Sequence, residues 1–260
     1  MRITMRTAFA GIFLVALMAT QTAAFSQTEF HLQYGKHKNP FSTATQQTFV
    51  FTVQQAAGWK LGDSFFFIDY LDDDERDGFN DRDFYGEWYP TLSLGKLTNK
   101  ELRVGPIRDF ALIAGVNVGG DANVVKYLPG LRASWDLPGF AFLNTDLTAY
   151  IDDNTGFAGG GAPKEDNSFI LDVNWALPIN VGSLSLAIVG HAEYLGGRTN
   201  EFGADVKDSL LAQPQFTWDL GKVVGAPNQL MVGIEYQYWL NKLGTDEDEI
   251  TAQLLVVWRL

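Results

Sequence analysis

The sequence predicts an all-β fold: a transmembrane antiparallel β-barrel of about twelve strands, preceded by a cleaved signal peptide. Three observations carry this. Segments of about ten residues alternate strictly between an apolar and a mixed polar face. Long polar connections follow the odd-numbered segments and mostly tight ones follow the even. Beyond the first two dozen residues, no apolar run is long enough for a spanning helix.

The amino terminus has the parts of a secretion leader. Arg2 and Arg6 supply positive charge, Thr7–Ala19 is apolar or small, and small residues allow cleavage after Ala24 or Ser26. Residues 1–26 are therefore assigned to the signal peptide and 27–260 to one barrel domain.

Alternation places strands near Glu29–Lys36, Gln47–Ala57, Ser64–Asp72, Phe84–Leu94, Ile107–Val118, Val124–Asp136, Phe140–Asp152, Ser168–Leu177, Gly182–Leu195, Ser209–Leu220, Gln229–Leu240 and Glu249–Leu260. In Phe140–Asp152, Ala141, Leu143, Thr145, Leu147, Ala149 and Ile151 share one almost wholly apolar face, while Phe140, Phe142, Asn144, Asp146, Thr148, Tyr150 and Asp152 share the other. Phe169, Leu171, Val173, Trp175 and Leu177 repeat the apolar face, opposite Asp172 and Asn174. A soluble sandwich also alternates, but its outward face is rich in Lys and Glu. Here the polar face carries Asn, Gln, Asp and single aromatics, the composition of an enclosed wet lumen. A soluble β-protein requires instead that the apolar faces meet one another.

Asp73–Asp83, Asp153–Asn167, Gly196–Asp208 and Asn241–Asp248 are the long loops; "LPG" at Leu137–Gly139 and "PINVG" at Pro178–Gly182 are tight turns. Gly95–Pro106 is long for a turn and Gly119–Asn123 short for a loop. Trp88, Tyr127, Trp135, Tyr194, Trp218, Tyr238 and Trp258 fall on the apolar face, mostly near strand ends, where amphipathic rings meet lipid headgroups. In hydrocarbon every backbone polar group needs an internal partner, so such a sheet must close. About twelve strands enclose more space than eight, whose side chains nearly fill the interior.

Acidic residues outnumber basic ones 31 to 19, giving a net charge of −12, which argues against a nucleic-acid partner. There is no cysteine, hence no disulfide or thiol chemistry. No nucleophile motif accompanies the three histidines, so no enzyme activity and no cofactor are expected.

By parity the lumen-facing aromatic candidates are Phe65, Phe67, Tyr85, Tyr89, Phe140, Phe142, Tyr150 and Trp239. Polar candidates are Asp69, Glu87, Asn117, Arg132, Asn144, Asp146, Asp172, Asn174, His191, Glu193, Glu235 and Gln237. Flat rings offer stacking and polar groups offer hydrogen bonds, and a channel needs several weak sites rather than one tight one. The same residues also have structural uses: lumen Phe can pack on neighbours, and Arg132 can neutralise Asp146. No metal is expected in the lumen. The loop "DDDERDGFND" (Asp72–Asp81) places Asp73, Glu75, Asp77 and Asp81 at early positions of a calcium loop, but Phe84 stands where the twelfth-position Glu belongs.

"FYGEWYPTLSLGKLTNKELRVGPIRDFAL" (Phe84–Leu112), "FLNTDLTAYID" (Phe142–Asp152) and "NSFILDVNWALPI" (Asn167–Ile179) resemble the nucleoside-specific channel-forming outer-membrane proteins, the Tsx family. The resemblance runs from "HLQYG" (His31–Gly35) to the last strand, and "KLTN…L…GP" (Lys96–Pro106) is its most specific piece. It implies a monomeric twelve-stranded barrel in the outer-membrane bilayer, with a narrow channel for nucleosides and deoxynucleosides. It also implies outer loops that can serve phage or colicins. The alternative is a non-transporting structural or receptor barrel working through its loops.

Overall fold

The computed structural model describes residues 25–75 and 77–260. The leader expected at 1–26 lies outside them, apart from Phe25 and Ser26, which begin the first strand.

The described chain is almost entirely strand. In order these are β1 (Phe25–Lys38), β2 (Thr45–Gly58), β3 (Asp63–Asp73), β4 (Asp81–Ser93), β5 (Ile107–Gly119), β6 (Val124–Trp135), β7 (Phe142–Asp152), β8 (Ser168–Val181) and β9 (Leu184–Leu195). A small hairpin of β10 (Arg198–Thr199) and β11 (Asp205–Val206) follows, then β12 (Ser209–Ala212), β13 (Gln215–Asp219), β14 (Leu230–Leu240) and β15 (Glu249–Arg259). Each wall strand is antiparallel to its neighbours, and β1 closes the wall on β15, from Glu29 opposite Arg259 to Tyr34 opposite Leu254. β12 and β13 both pair with β9 and β14, so they are two halves of one wall strand. The result is a closed twelve-stranded antiparallel barrel with the β10–β11 hairpin outside the wall.

The sidedness is as alternation requires. Leu32, Leu112, Leu131, Leu147, Leu171, Phe216, Ile234 and Leu254 point outward and are each more than a third exposed, with Leu254 at 68%. A continuous apolar belt of this size is not compatible with water. It is the lipid-facing surface of a transmembrane barrel, which removes the soluble reading: the apolar faces do not meet one another. Trp135, Trp218 and Trp258 ring one end of the belt, where the turns and both described chain ends lie. Tyr127, Tyr194 and Tyr238 ring the loop end, with Phe169 5.9 Å from Tyr194.

Four details differ from expectation. The strand expected over Ser209–Leu220 is broken at Gln213–Pro214, because proline has no N–H for the ladder. The chain bulges there, Gln213 N–H donating to His191 O (3.0 Å) and Tyr236 N–H to Pro214 O (2.9 Å). Phe140 lies in the turn before β7 rather than on the strand, its N–H donating to Leu137 O at 3.3 Å. The turn expected at Pro178–Gly182 is shorter: β8 continues through Val181, and Gly182, with φ +59, makes the reversal. Finally, the overlong turn contains a helix, α1 (Leu94–Thr98). Ser93 Oγ caps it by accepting from Lys96 N–H (3.0 Å), left-handed Asn99 ends it, and Lys96 Nζ donates to Gly62 O (3.2 Å), so "KLTN" ties two turns together.

Candidate functional site: the barrel lumen

The inward face is where hydrogen bonding concentrates. Glu87 on β4 accepts from Tyr85 Oη (2.5 Å), Tyr89 Oη (2.8 Å) and Asn117 Nδ2 (2.8 Å). Phe65 and Phe67 stand beside them, with ring centroids 6.2 Å apart and Phe67 6.1 Å from Tyr85. β3 and β4 therefore present an aromatic wall with a carboxylate at its centre. Asp69 accepts from Thr52 Oγ1 (2.6 Å), and Glu235 accepts from Gln33 (2.6 Å), Gln215 (2.7 Å) and Gln253 (3.0 Å).

Further round the wall, Arg132 on β6 holds Asp146 with two bonds and reaches Asp63 on β3 at 3.3 Å. Asn144 donates to Asn174 (2.9 Å), which donates to Asp172 (2.7 Å) and Asp146 (3.2 Å). His191 Nδ1 lies 3.0 Å from Asp172, and Glu193 lies two residues further on the same face. Glu193 and Glu87 feel each other's charge, as do Asp69 and Glu235.

The loop end is laced by ion pairs. Lys126 pairs with Asp152 (2.5 Å) and Glu165 (3.0 Å), and Arg198 with Glu165 (2.8 Å). Both cations stand over the Tyr150 ring, at 5.0 and 5.2 Å. Tyr150 also packs with Leu128 and Ile170, so this aromatic is occupied by the protein itself. Trp239 is similarly covered: Lys242 sits 5.3 Å over it and 5.1 Å over Phe79, bonded to Glu249 (2.8 Å) and to Lys38 O (2.8 Å). Burial pulls the Lys242 ammonium below the ordinary lysine range, and Glu249 opposes that pull.

In the acidic loop the carboxylates hold backbone. Asp73 accepts from Glu75 N–H (3.0 Å), Asp77 from Phe79 N–H (3.1 Å) and Asp81 from Gly78 N–H (2.9 Å). That is turn chemistry and requires no ion.

Apart from Phe140, every lumen candidate stands on an inward-facing strand position, with Phe142 at the turn-end mouth. Residues outside the expected set complete the network: Glu29, His31 and Arg259 form one cluster, Gln33, Gln215 and Gln253 donate to Glu235, and Gln213 joins His191 to Gln237. Parity assigns them to the same face; their long-range partners are not visible in a linear sequence.

No family model matches the chain, and no curated protein matches it. Solved structures do. The "KdgM porin" matches at 6% identity over 88% of this chain and 98% of its own, with a TM-score of 0.47. The "KdgM porin in complex with disordered oligogalacturonate" matches at 6% identity over 89% and 98%, with a TM-score of 0.49. Pseudomonas aeruginosa OccK11 (OpdR) matches at 11% identity over 90% and 96%, with a TM-score of 0.35.

Proposed function

We propose that this protein is an outer-membrane channel for passive diffusion of small polar solutes, with nucleosides and deoxynucleosides as its substrates. The observation that carries the reading is the aromatic wall of Phe65, Phe67, Tyr85 and Tyr89, set beside Glu87 and facing Glu193. A nucleoside has a flat base that stacks on such rings, and sugar hydroxyls that donate to carboxylates. The resemblance of three segments to the Tsx family points to the same substrate class. The barrel works as a monomer, and the closed sheet leaves no edge for a partner strand.

A second reading, a non-transporting barrel acting through its loops, draws support from the loop end, where Lys126, Arg198 and Lys242 tie loop residues to the wall and to one another. Phage or colicin binding belongs to that reading.

Liposome swelling with purified protein separates the two. Nucleosides enter faster than sugars of similar size if the first holds. Equal rates overturn nucleoside preference, and no uptake of either solute overturns transport.

A further inference from the structure

All three histidines lie inside the barrel, each beside a carboxylate, and two of the three clusters already contain a cation. His31 meets Glu29 at 3.0 Å, and Arg259 also holds Glu29 at 2.6 Å. His37 meets Glu249 at 3.6 Å, and Lys242 also holds Glu249 at 2.8 Å. His191 meets Asp172 at 3.0 Å, but the further member of its cluster is another acid, Glu193. Among the described residues no Lys or Arg forms an ion pair with Asp172 or Glu193, and Glu193 accepts no hydrogen bond.

The protonation pattern around His191 is set from a distance. Glu249, paired to Lys242, is an acceptor, so Gln237 must turn its NH₂ toward it. Gln237 Oε1 then accepts from Gln213 Nε2 (2.8 Å), which leaves Gln213 Oε1 facing His191 Nε2 at 3.0 Å. Nε2 therefore carries a hydrogen, and Nδ1 faces the Asp172 carboxylate. A neutral ring in this tautomer sets a lone pair against an anion. A proton on Nδ1 or a metal cation relieves that contact.

We propose that Asp172, His191 and Glu193 form a binding site for a divalent transition cation of the zinc class. The three ligand atoms lie within 4.8 Å of one another. Ligands sharing one tetrahedral ion at about 2.0 Å stand roughly 3.3 Å apart, so small rotations suffice. One imidazole and two carboxylates form a mixed set that suits zinc, and a fourth position remains for water. Gln213 supplies the outer hydrogen bond that metal-bound imidazoles usually make. Glu87, within electrostatic reach of Glu193, adds negative potential without being a ligand. This inference does not depend on the transport reading, since it concerns binding to the wall itself.

The test is isothermal titration of zinc into the purified full-length barrel in detergent, with far-UV circular dichroism of each variant. The expected result is one site per chain, weakened at least about 10-fold by His191→Ala and by Glu193→Gln, and unchanged by His31→Ala. Glu193→Gln is nearly isosteric and removes no hydrogen bond, so it remains informative if His191→Ala does not fold. Zinc heat that is absent, or that is unaffected by Glu193→Gln, overturns the site and leaves a proton as the bridge. Liposome swelling reports on transport separately, so either reading can fail alone.

Discussion

Arg132 Nε and Nη2 donate to the two carboxylate oxygens of Asp146 at 2.8 and 2.7 Å, joining β6 to β7 by a fork of parallel bonds. The side chains are only 11% and 9% exposed, so removing one leaves the other charge poorly solvated. Arg132→Ala is expected to destabilise the barrel by about 3 kcal/mol. Arg132→Met with Asp146→Leu should recover most of that loss. Urea unfolding of the three barrels in lipid vesicles checks both, and a double variant no better than the single one removes the pair from the account.

A second prediction concerns the aromatic wall. Phe67 touches Phe65 and Tyr85 and donates or accepts no hydrogen bond, so its removal changes a stacking surface and little else. Base stacking on one ring contributes about 1–3 kcal/mol. Phe67→Ala should therefore raise the nucleoside concentration that half-blocks single-channel current by about 5- to 150-fold, while open conductance holds or rises. An unchanged half-blocking concentration excludes Phe67 from the substrate path.

Much of this architecture is legible from alternation alone. Parity fixed the facing of Asp172, Asn174, His191 and Glu193 because side-chain direction in a strand has period two. Facing does not report packing across a lumen. Tyr150 and Trp239 share the inward face with Phe67, yet cations cover the first two: Tyr150 is covered by Lys126 and Arg198 from distant parts of the chain, and Trp239 by Lys242 where the following loop turns back. The break in β12–β13 was readable in principle from Pro214. Its consequence was not: the bulge brings Gln213 onto His191, a contact set by the neighbouring strand.

That bulge yields a third prediction. A Cβ on Gly190 would lie 2.3 Å from Gln213 O and 2.9 Å from Pro214 Cα, both backbone atoms that cannot rotate away. Gly190→Ala should cost about 2–3 kcal/mol of stability. The same change at Gly182 meets no atom within 4 Å, although its φ of +59 adds conformational strain. Comparing the urea midpoints of both variants tests the ordering; Gly182→Ala being the more harmful contradicts the packing argument.

The loop-end clamp predicts restrained loops. Glu165 accepts from Lys126 and from Arg198, so Glu165→Ala releases the Asp153–Asn167 loop from two cations at once. Proteolysis at Lys164 in intact vesicles should then accelerate, and conductance should rise if the loop narrows the mouth. Faster cleavage with unchanged conductance assigns the clamp to loop order alone.

The final prediction concerns ion preference. Arg132, Lys126, Arg198, Arg259 and Lys242 each face the interior or its loop-end mouth already paired with an acid. Asp69, Glu87, Glu193 and Glu235 have no Lys or Arg ion-pair partner among the described residues, and Asp69 and Glu87 feel each other's charge. Rings of carboxylates favour cations because the fixed negative potential concentrates them and repels anions. In a potassium chloride gradient across a planar bilayer, the reversal potential should lie on the cation side. Glu87→Gln with Glu193→Gln should move it toward zero, and raising salt should weaken the preference in the unaltered channel, since screening shortens the reach of the ring. A reversal potential on the anion side would mean that the paired cations, not the acids, set the field in the narrow zone.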